Sequence, residues 1–308
     1  MSWVVLGEEA YTYEVVPGWG HLPPDVRFGY THGVVVDAED NVYVHNQSKD
    51  AVAVFDRSGR FLGSWGEDFA ASAHGMFLSR EGAHEYLYLT DPQRQMVVKA
   101  TLRGDILFRL GTPDVPEAYP SPDLYHPTDA CVAPNGDIYV CDGYGEGWVH
   151  QYGADGAHIR SWGGKGSAPG RMDCPHGIWV DTRGPAPRLL VADRGNRRLQ
   201  VFTLEGQHTG FIEGELRLPC CMYQFGQDLY IPDLHGRVTI LGPDDRAVTH
   251  LGDNPGVWEL PGWPNIPHSQ RVVGRFVSPH AVCVDSHGDI YVVEWVADGR
   301  LTKLRRRR

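Results

Sequence analysis

Three histidines stand at one position of a repeated sequence motif, where their spacing could build a metal site. In each copy of the motif a first strand starts at a short tripeptide, and the middle residue is predicted to point at a central axis. These six residues are, in chain order, His32, His74, Thr128, His176, Cys220 and His280. His74, His176 and His280 come from alternate copies, so three imidazoles would converge on one divalent ion with positions left for water or substrate. A single histidine at such a place is more often only a hydrogen-bonding cap. His32 breaks the alternation and is predicted either to contact a metal ligand or to contact the substrate.

A second chemical position follows the second strand of each copy, near the predicted metal. Most copies carry an aspartate here, which turn capping explains, and the last carries Glu294. Tyr144 and Arg194 depart from that pattern. A phenol beside a cation loses its proton more easily, so Tyr144 is a candidate general base. Arg194 could hold a substrate carboxylate through a two-pronged hydrogen bond.

The elements that position these residues are short strands in six copies, spaced roughly 40–60 residues apart. Each copy has a β-rich second strand, such as DIYVCD, RLLVAD and DIYVVE, with turn residues between strands. Six copies of four strands predict an all-β fold, a six-bladed β-propeller in one domain over residues 1–308. The last copy has three strands, and the segment 11–19 is predicted to supply the fourth by pairing near 301–304. Two long inserts, 112–125 and 252–275, are expected to be functional loops.

Composition excludes several classes of protein. The 308 residues are 42% hydrophobic and 22% charged, which is typical of a globular protein, and the net charge of −11 argues against nucleic-acid binding. No apolar run reaches the roughly 18 residues that span a membrane. The six cysteines show no CxxC spacing and the start of the sequence lacks a basic leader, so free thiols and a cytoplasmic location are expected. The oligomeric state stays open.

The run CDGYGEGWVHQYGADGAHIRSWGGKG, with CPHGIWVD and VADRGNRRLQVF after it, resembles the NHL-repeat propellers. Among these it is similar to the peptidyl-α-hydroxyglycine α-amidating lyases, which cleave a carbinolamide C–N bond to an amide and glyoxylate. The resemblance implies zinc on His74, His176 and His280. It also implies a catalytic tyrosine at Tyr144, in a DGY motif, and an active-site arginine at Arg194, in an ADR motif.

The sequence departs from this family at three positions. Gln47 stands where the family has a second arginine, and Ser278 stands where it has a methionine two residues before the third histidine. Ala281 stands where the family has a calcium-binding aspartate, so the structural calcium ion of the family is not expected here. We therefore predict substrate contacts at Gln47, Ser278, His32 and Glu294, and a substrate other than a peptide.

These residues together predict a metal-dependent lyase, with a hydratase or hydrolase as close variants. It would act on a small α-hydroxy compound, breaking a C–N or C–O bond through a metal-bound alkoxide. Zinc is the expected ion. A non-catalytic propeller that binds a ligand or a protein is the alternative, and a scaffold has no need of Tyr144 and Arg194. A calcium-dependent lactonase-type site would use carboxylates, whereas this axis is rich in imidazole.

Overall fold

The computed structural model describes residues 4–307, which are almost entirely strands and connecting loops. Five short 3-10 helices lie within this range, at Glu9–Tyr11, Glu67–Phe69, Pro122–Leu124, Val257–Glu259 and His268–Gln270. No helix in the range 4–307 is both long and apolar enough to cross a bilayer.

The chain divides into two compact units. Unit one combines Met1–Ala70 with Met222–Arg308, and unit two is Ala71–Cys221. Each unit contains three antiparallel sheets, and each sheet is one blade. The predicted single domain over 1–308 stays a prediction, and its outermost residues lie outside the described range.

Unit two holds blades two, three and four, each a sheet of four strands in chain order. Blade two contains β7 (Met76–Glu81), β8 (His84–Asp91), β9 (Met96–Thr101) and β10 (Ile106–Leu110). Blade three contains β11 (Asp129–Val132), β12 (Ile138–Cys141), β13 (Trp148–Tyr152) and β14 (His158–Gly163). Blade four contains β15 (Pro175–Asp181), β16 (Arg188–Asp193), β17 (Arg198–Phe202) and β18 (His208–Ile212).

Unit one holds the other three blades. Blade one contains β3 (Thr31–Val36), β4 (Val42–Asn46), β5 (Val52–Phe55) and β6 (Phe61–Trp65). Blade five contains β19 (Tyr223–Phe225), β20 (Asp228–Asp233), β21 (Arg237–Leu241) and β22 (Ala247–Leu251). Blade six contains β23 (Pro279–Val284), β24 (Ile290–Glu294) and β25 (Arg300–Arg306), joined by β1 (Val5–Leu6) and β2 (Tyr13–Val16). The fold is a six-bladed β-propeller, which confirms the predicted fold class.

The N-terminal strand completes blade six as predicted. In β2, Val15 pairs with Leu304 and Val16 with Lys303, antiparallel. The sequence did not predict β1, which pairs with β2 and makes this sheet five-stranded. Tyr13 is fully buried in a core shared by blades five and six, so the N-terminal strand is held by packing as well as by hydrogen bonds.

The first strands are irregular where the axial histidines lie. The strand register shifts between Thr31 and Gly33, between Pro175 and Ile178, and between Pro279 and Ala281. Each shift falls on a histidine, and a β-bulge turns a side chain away from the regular alternation. His32, His176 and His280 therefore owe their direction to a local break in pairing. In blades two, three and five the axial residue comes before the first strand begins.

Candidate metal centre and active site

The three predicted ligand histidines are buried and present the same ring nitrogen. His74 is 2% exposed, His176 2% and His280 4%. In unit two, His74 Nδ1 lies 2.7 Å from the carbonyl oxygen of Thr128, and His176 Nδ1 lies 2.9 Å from that of Cys220. A carbonyl oxygen only accepts hydrogen bonds, so each Nδ1 carries the proton. Each Nε2 then carries a lone pair and no proton, which is the state in which a histidine binds a metal.

His280 repeats this arrangement inside unit one. Its Nδ1 donates to the carbonyl oxygen of His32 at 2.7 Å, and the two rings meet edge to face with centroids 4.6 Å apart. The three acceptors therefore belong to the axial residues of blades three, five and one, which alternate with the histidines of blades two, four and six. The sequence pattern does not reveal this role, because the acceptor is a main-chain atom. His32 serves the predicted site through its backbone.

Glycines after two of the histidines allow the neighbouring backbone to come close. A Cβ on Gly75 would lie 2.5 Å from the carbonyl oxygen of Thr128, and a Cβ on Gly177 would lie 2.6 Å from the Cα of Cys221. Neither approach leaves room for a side chain. The His-Gly pairs thus bring each imidazole within reach of its main-chain acceptor. In blade six Ala281 follows His280 instead, and it offers no carboxylate for the calcium ion of the family.

Tyr144 places its hydroxyl between the two imidazoles of unit two. The oxygen lies 3.0 Å from His74 Nε2 and 3.1 Å from His176 Nε2. Each Nε2 carries a lone pair, and the phenol has one proton to donate. Two ring nitrogens and a phenol oxygen therefore converge at one place. Such a group of donor atoms fits a divalent cation, for which imidazole nitrogens are ordinary ligands.

Two effects act on the pKa of Tyr144 in opposite directions. The residue is 43% exposed, but its hydroxyl lies between the two buried imidazoles. Desolvation of that hydroxyl raises the pKa of Tyr144 to about 12, and the charge of Arg194 acts in the opposite direction. The sequence led us to expect the guanidinium to dominate. Burial dominates instead, and the phenol is protonated at neutral pH.

Arg194 lies beside this phenol. Its guanidinium carbon is 5.5 Å from the centroid of the Tyr144 ring, and its Nη2 donates to Cys174 Sγ at 3.2 Å. The backbone of Arg194 is tied to the same residue, because its N–H donates to the Cys174 carbonyl oxygen at 3.2 Å. From the sequence Cys174 was expected only to be a free thiol. It holds Arg194 at both ends.

The loop that carries Tyr144 is fixed by Asp142. Its Oδ1 accepts from the N–H of His126 at 2.7 Å and its Oδ2 from the N–H of Glu146 at 2.7 Å. Tyr119, from the insert 112–125, donates to the same carboxylate at 2.7 Å. Burial raises the pKa of Asp142 to about 6, partly offset by these hydrogen bonds. Asp142 thus positions the DGY motif.

The predicted substrate contacts of unit one differ in their hydrogen-bond and ion-pair partners. Ser278 is fully buried, and its hydroxyl has no hydrogen-bond partner among residues 4–307. Glu294 is also fully buried, but its Oε1 accepts from the N–H groups of Val277 and Ser278, and its Oε2 lies 2.9 Å from Arg300 Nη1. Gln47 donates its backbone N–H to the Tyr30 carbonyl oxygen at 2.9 Å. Their roles toward a substrate stay predictions.

Each unit therefore gathers part of the predicted site. Unit two brings together His74, His176, Tyr144 and Arg194. Unit one brings His280 against His32, with Ser278 two residues before His280. All six cysteines are free, as expected.

Comparison with known proteins identifies the repeat. Residues 124–152 match the family model described as NHL repeat. NHL repeat-containing protein 3 of Homo sapiens is 29% identical over 204 residues, 63% of this chain and 57% of that protein. The mouse protein is 32% identical over 184 residues, 56% of this chain and 52% of that protein. The chain spans about half the length of these curated relatives.

Lyases also appear among the relatives and the solved structures. Peptidyl-alpha-hydroxyglycine alpha-amidating lyase 1 of Drosophila melanogaster is 28% identical over 262 residues, 77% of this chain and 45% of that protein. A streptogramin B lyase structure superposes with a TM-score of 0.62 at 14% identity, covering 91% of this chain and 95% of that chain. A gluconolactonase from Xanthomonas campestris has the same TM-score and identity, covering 96% and 90%. At such identities these structures support the fold alone. The predicted resemblance is confirmed: the chain is a six-bladed β-propeller that carries an NHL repeat and has homologues among the peptidyl-α-hydroxyglycine α-amidating lyases.

Proposed function

We propose that the protein is a metal-dependent lyase that breaks a C–N or C–O bond in a small α-hydroxy compound. The observation that carries the proposal is the shared state of His74, His176 and His280. Each donates its Nδ1–H to a main-chain carbonyl and keeps Nε2 as a lone pair. We infer from its repeat position that His280 is the third ligand, beside His74 and His176. Zinc suits three imidazoles, although the donor set also accepts other divalent ions.

A divalent ion held there would act as a Lewis acid on a substrate oxygen. Tyr144 is the residue placed to move a proton, because its hydroxyl already lies within 3.1 Å of both imidazoles of unit two. To act as a base Tyr144 must first lose its own proton, which the charge of Arg194 and of a divalent ion held by the histidines would favour. The phenolate would then accept the proton of the substrate hydroxyl and return it to the departing nitrogen or oxygen. The substrate then leaves as a carbonyl compound and a protonated leaving group, with no oxidant or reductant needed.

Arg194 would bind the anionic or carbonyl end of the substrate. Its fixed charge suits a carboxylate, and its contact with Cys174 sets its direction. Gln47 would add only a neutral hydrogen bond where the related lyases have a second arginine. A site with one cation in place of two should favour smaller or less acidic substrates than a peptide acid. The free thiols agree with action in the cytoplasm, which we propose as its location.

Metal analysis of the purified protein tests this proposal. We expect about one divalent ion per chain, and its loss in a His176→Ala variant whose circular dichroism and melting temperature stay close to wild type. His158→Ala is the matched control, because His158 is exposed on β14 of the same unit. Equal metal content in wild type and His176→Ala would overturn the assignment.

A non-catalytic binding propeller is the second candidate, favoured by the similarity to NHL repeat-containing protein 3. It predicts no bound metal and no turnover of α-hydroxy compounds. Glyoxylate release from N-acyl-α-hydroxyglycines, the simplest carbinolamides, by the metal-loaded protein would decide between the two.

A further inference from the structure

Five aromatic rings of unit one form a continuous row at the insert 252–275. His235 stacks on Trp258 with ring centroids 4.7 Å apart and 14° between planes, and it meets Trp263 edge to face at 5.7 Å. Trp263 contacts Trp295 at 6.3 Å, and Trp295 contacts Tyr30 at 5.6 Å. All five side chains are partly exposed. We call this set, His235, Trp258, Trp263, Trp295 and Tyr30, the aromatic row.

Hydrogen bonds and packing make the aromatic row rigid. Trp263 Nε1 donates to the Val277 carbonyl oxygen at 3.0 Å, which fixes the indole edge. Asn265 donates to the Tyr30 hydroxyl at 2.8 Å and accepts from the Ala297 N–H at 2.7 Å. Trp258 and Trp263 pack against a small apolar core formed by Val257, Ile266, Val277 and Val296. Rings held in this way lose little freedom when a ligand binds.

The aromatic row adjoins the candidate site residues of the same unit. Trp295 donates its N–H to the Ser278 carbonyl oxygen at 2.8 Å, and His280 follows Ser278 by two residues. At the other end, Tyr30 comes two residues before His32 in the chain. The partly exposed rings and the buried hydroxyl of Ser278 therefore lie on one continuous piece of structure.

Two carboxylates beside the aromatic row are already engaged within the protein, and a third, Glu259, is exposed to solvent, where water screens its charge. Glu294 is bound by two backbone N–H groups and Arg300, while Asp298 pairs with Arg271 at 2.9 Å and His268 at 3.0 Å. Sugars need free polar groups to bind their hydroxyls, and an organic cation gains most where negative charge is left over. The row instead offers the faces and edges of rings, which suit an uncharged planar group.

From this geometry we infer that the aromatic row binds an apolar planar ring carried by the substrate. The inference deepens the proposed function, on which it rests for the identity of the ligand as substrate. The predicted substrate is thus an α-hydroxy compound with an aromatic acyl or aryl group rather than a purely aliphatic one. Binding of the ring itself requires no metal.

Benzamide is a suitable probe, with acetamide, cellobiose and tetramethylammonium as comparisons. Saturation-transfer NMR and titration of the full chain should detect saturable benzamide binding and weak or absent binding of the other three. Trp295→Leu and Trp258→Leu should each weaken benzamide binding by about tenfold, the effect of one lost ring contact. Trp65→Leu, which changes a partly buried tryptophan of β6 in the same unit, should leave the binding unchanged.

The outcomes separate this inference from the proposed function. His176→Ala should lose metal and keep benzamide binding. Wild-type protein that binds benzamide but contains no metal contradicts only the lyase proposal. Benzamide binding that is absent, or equal in wild type and both row variants with melting temperatures near wild type, overturns the aromatic-row inference. Preferred binding of cellobiose or tetramethylammonium would likewise overturn it in favour of a sugar or a cation.

Discussion

Replacing Tyr144 by Phe removes one hydroxyl from the candidate site and little else. The residue is 43% exposed, so its ring contributes only part of its area to the core, and its single proton makes one full hydrogen bond to the histidine pair. The net value of such a bond is about 1 kcal/mol. For a chain of 308 residues that corresponds to a change in melting temperature of about 1.5 °C.

The effect on catalysis should be much larger. A group that transfers a proton in the transition state typically contributes at least about a hundredfold in rate, or about 2.7 kcal/mol of barrier. The assay is kcat for the α-hydroxy compound that the wild-type, metal-loaded protein turns over fastest, with metal content measured in parallel. We expect kcat to fall at least about a hundredfold while the metal stays bound. Tyr86→Phe, on β8 of the same unit, is the control and should match wild type.

Two results would refute this reasoning. Turnover of the Phe variant within about threefold of wild type would mean that Tyr144 is only part of the wall of the site. A loss of stability above about 3 kcal/mol would mean that the hydroxyl is structural, because one net hydrogen bond is too small to account for it.

Three further predictions concern stability. Tyr13→Ala should cost about 3–5 kcal/mol in chemical denaturation, because the ring is fully buried between β2 and blade five, whereas Tyr13→Phe should cost no more than about 1. Gly75→Ala should lower the free energy of unfolding by about 1–3 kcal/mol and weaken metal binding, because the added Cβ would strike the Thr128 carbonyl. The control is Gly111→Ala, which should leave stability unchanged because no atom lies within 4 Å of its added Cβ. Equal melting temperatures of the two variants would contradict the close approach at Gly75. Burial, followed by the charge of His158, lowers the pKa of His150 to about 3, so only the unfolded chain binds this proton between pH 6.5 and 3, and stability should fall there by up to about 1.4 kcal/mol per pH unit. His150→Gln should flatten that acid limb, and an unchanged pH profile would count against the buried neutral imidazole.

The sequence predicted the fold because its signals are local and repeated. Strand alternation and turn residues recur in every copy, and the three-strand last copy indicated pairing with the N-terminus. The short β1 carries no such pattern, since Val5 and Leu6 are two residues that only the neighbouring β2 makes into a strand. Tyr144 and Arg194 were identifiable because they depart from a repeated aspartate pattern. The clustering of His74, His176 and Tyr144 was predicted from the same repeat positions.

Other features of the site could not be predicted in this way. The contact between Arg194 and the Cys174 thiol depends on a loop geometry in which Cys174 has a φ of 55°. The raised pKa of Tyr144 depends on how tightly the protein surrounds one oxygen atom. The hydrogen-bond and ion-pair partners of Glu294, which are Val277, Ser278 and Arg300, come together only in the folded chain. Each of these properties is set by atoms that the sequence pattern does not place.

The main-chain acceptors of the histidines decide which substitutions this site can tolerate. A carbonyl oxygen is present whatever side chain its residue carries, so Thr128, Cys220 and His32 can differ in type and still orient an imidazole. The three imidazole hydrogen bonds therefore depend on where these carbonyl groups lie and not on the side chains beside them, and an inserted or deleted residue that displaces a carbonyl would break its bond. Thr128 has a further role, because its hydroxyl donates to the Pro175 carbonyl oxygen and accepts from the Gly143 N–H, both at 3.2 Å.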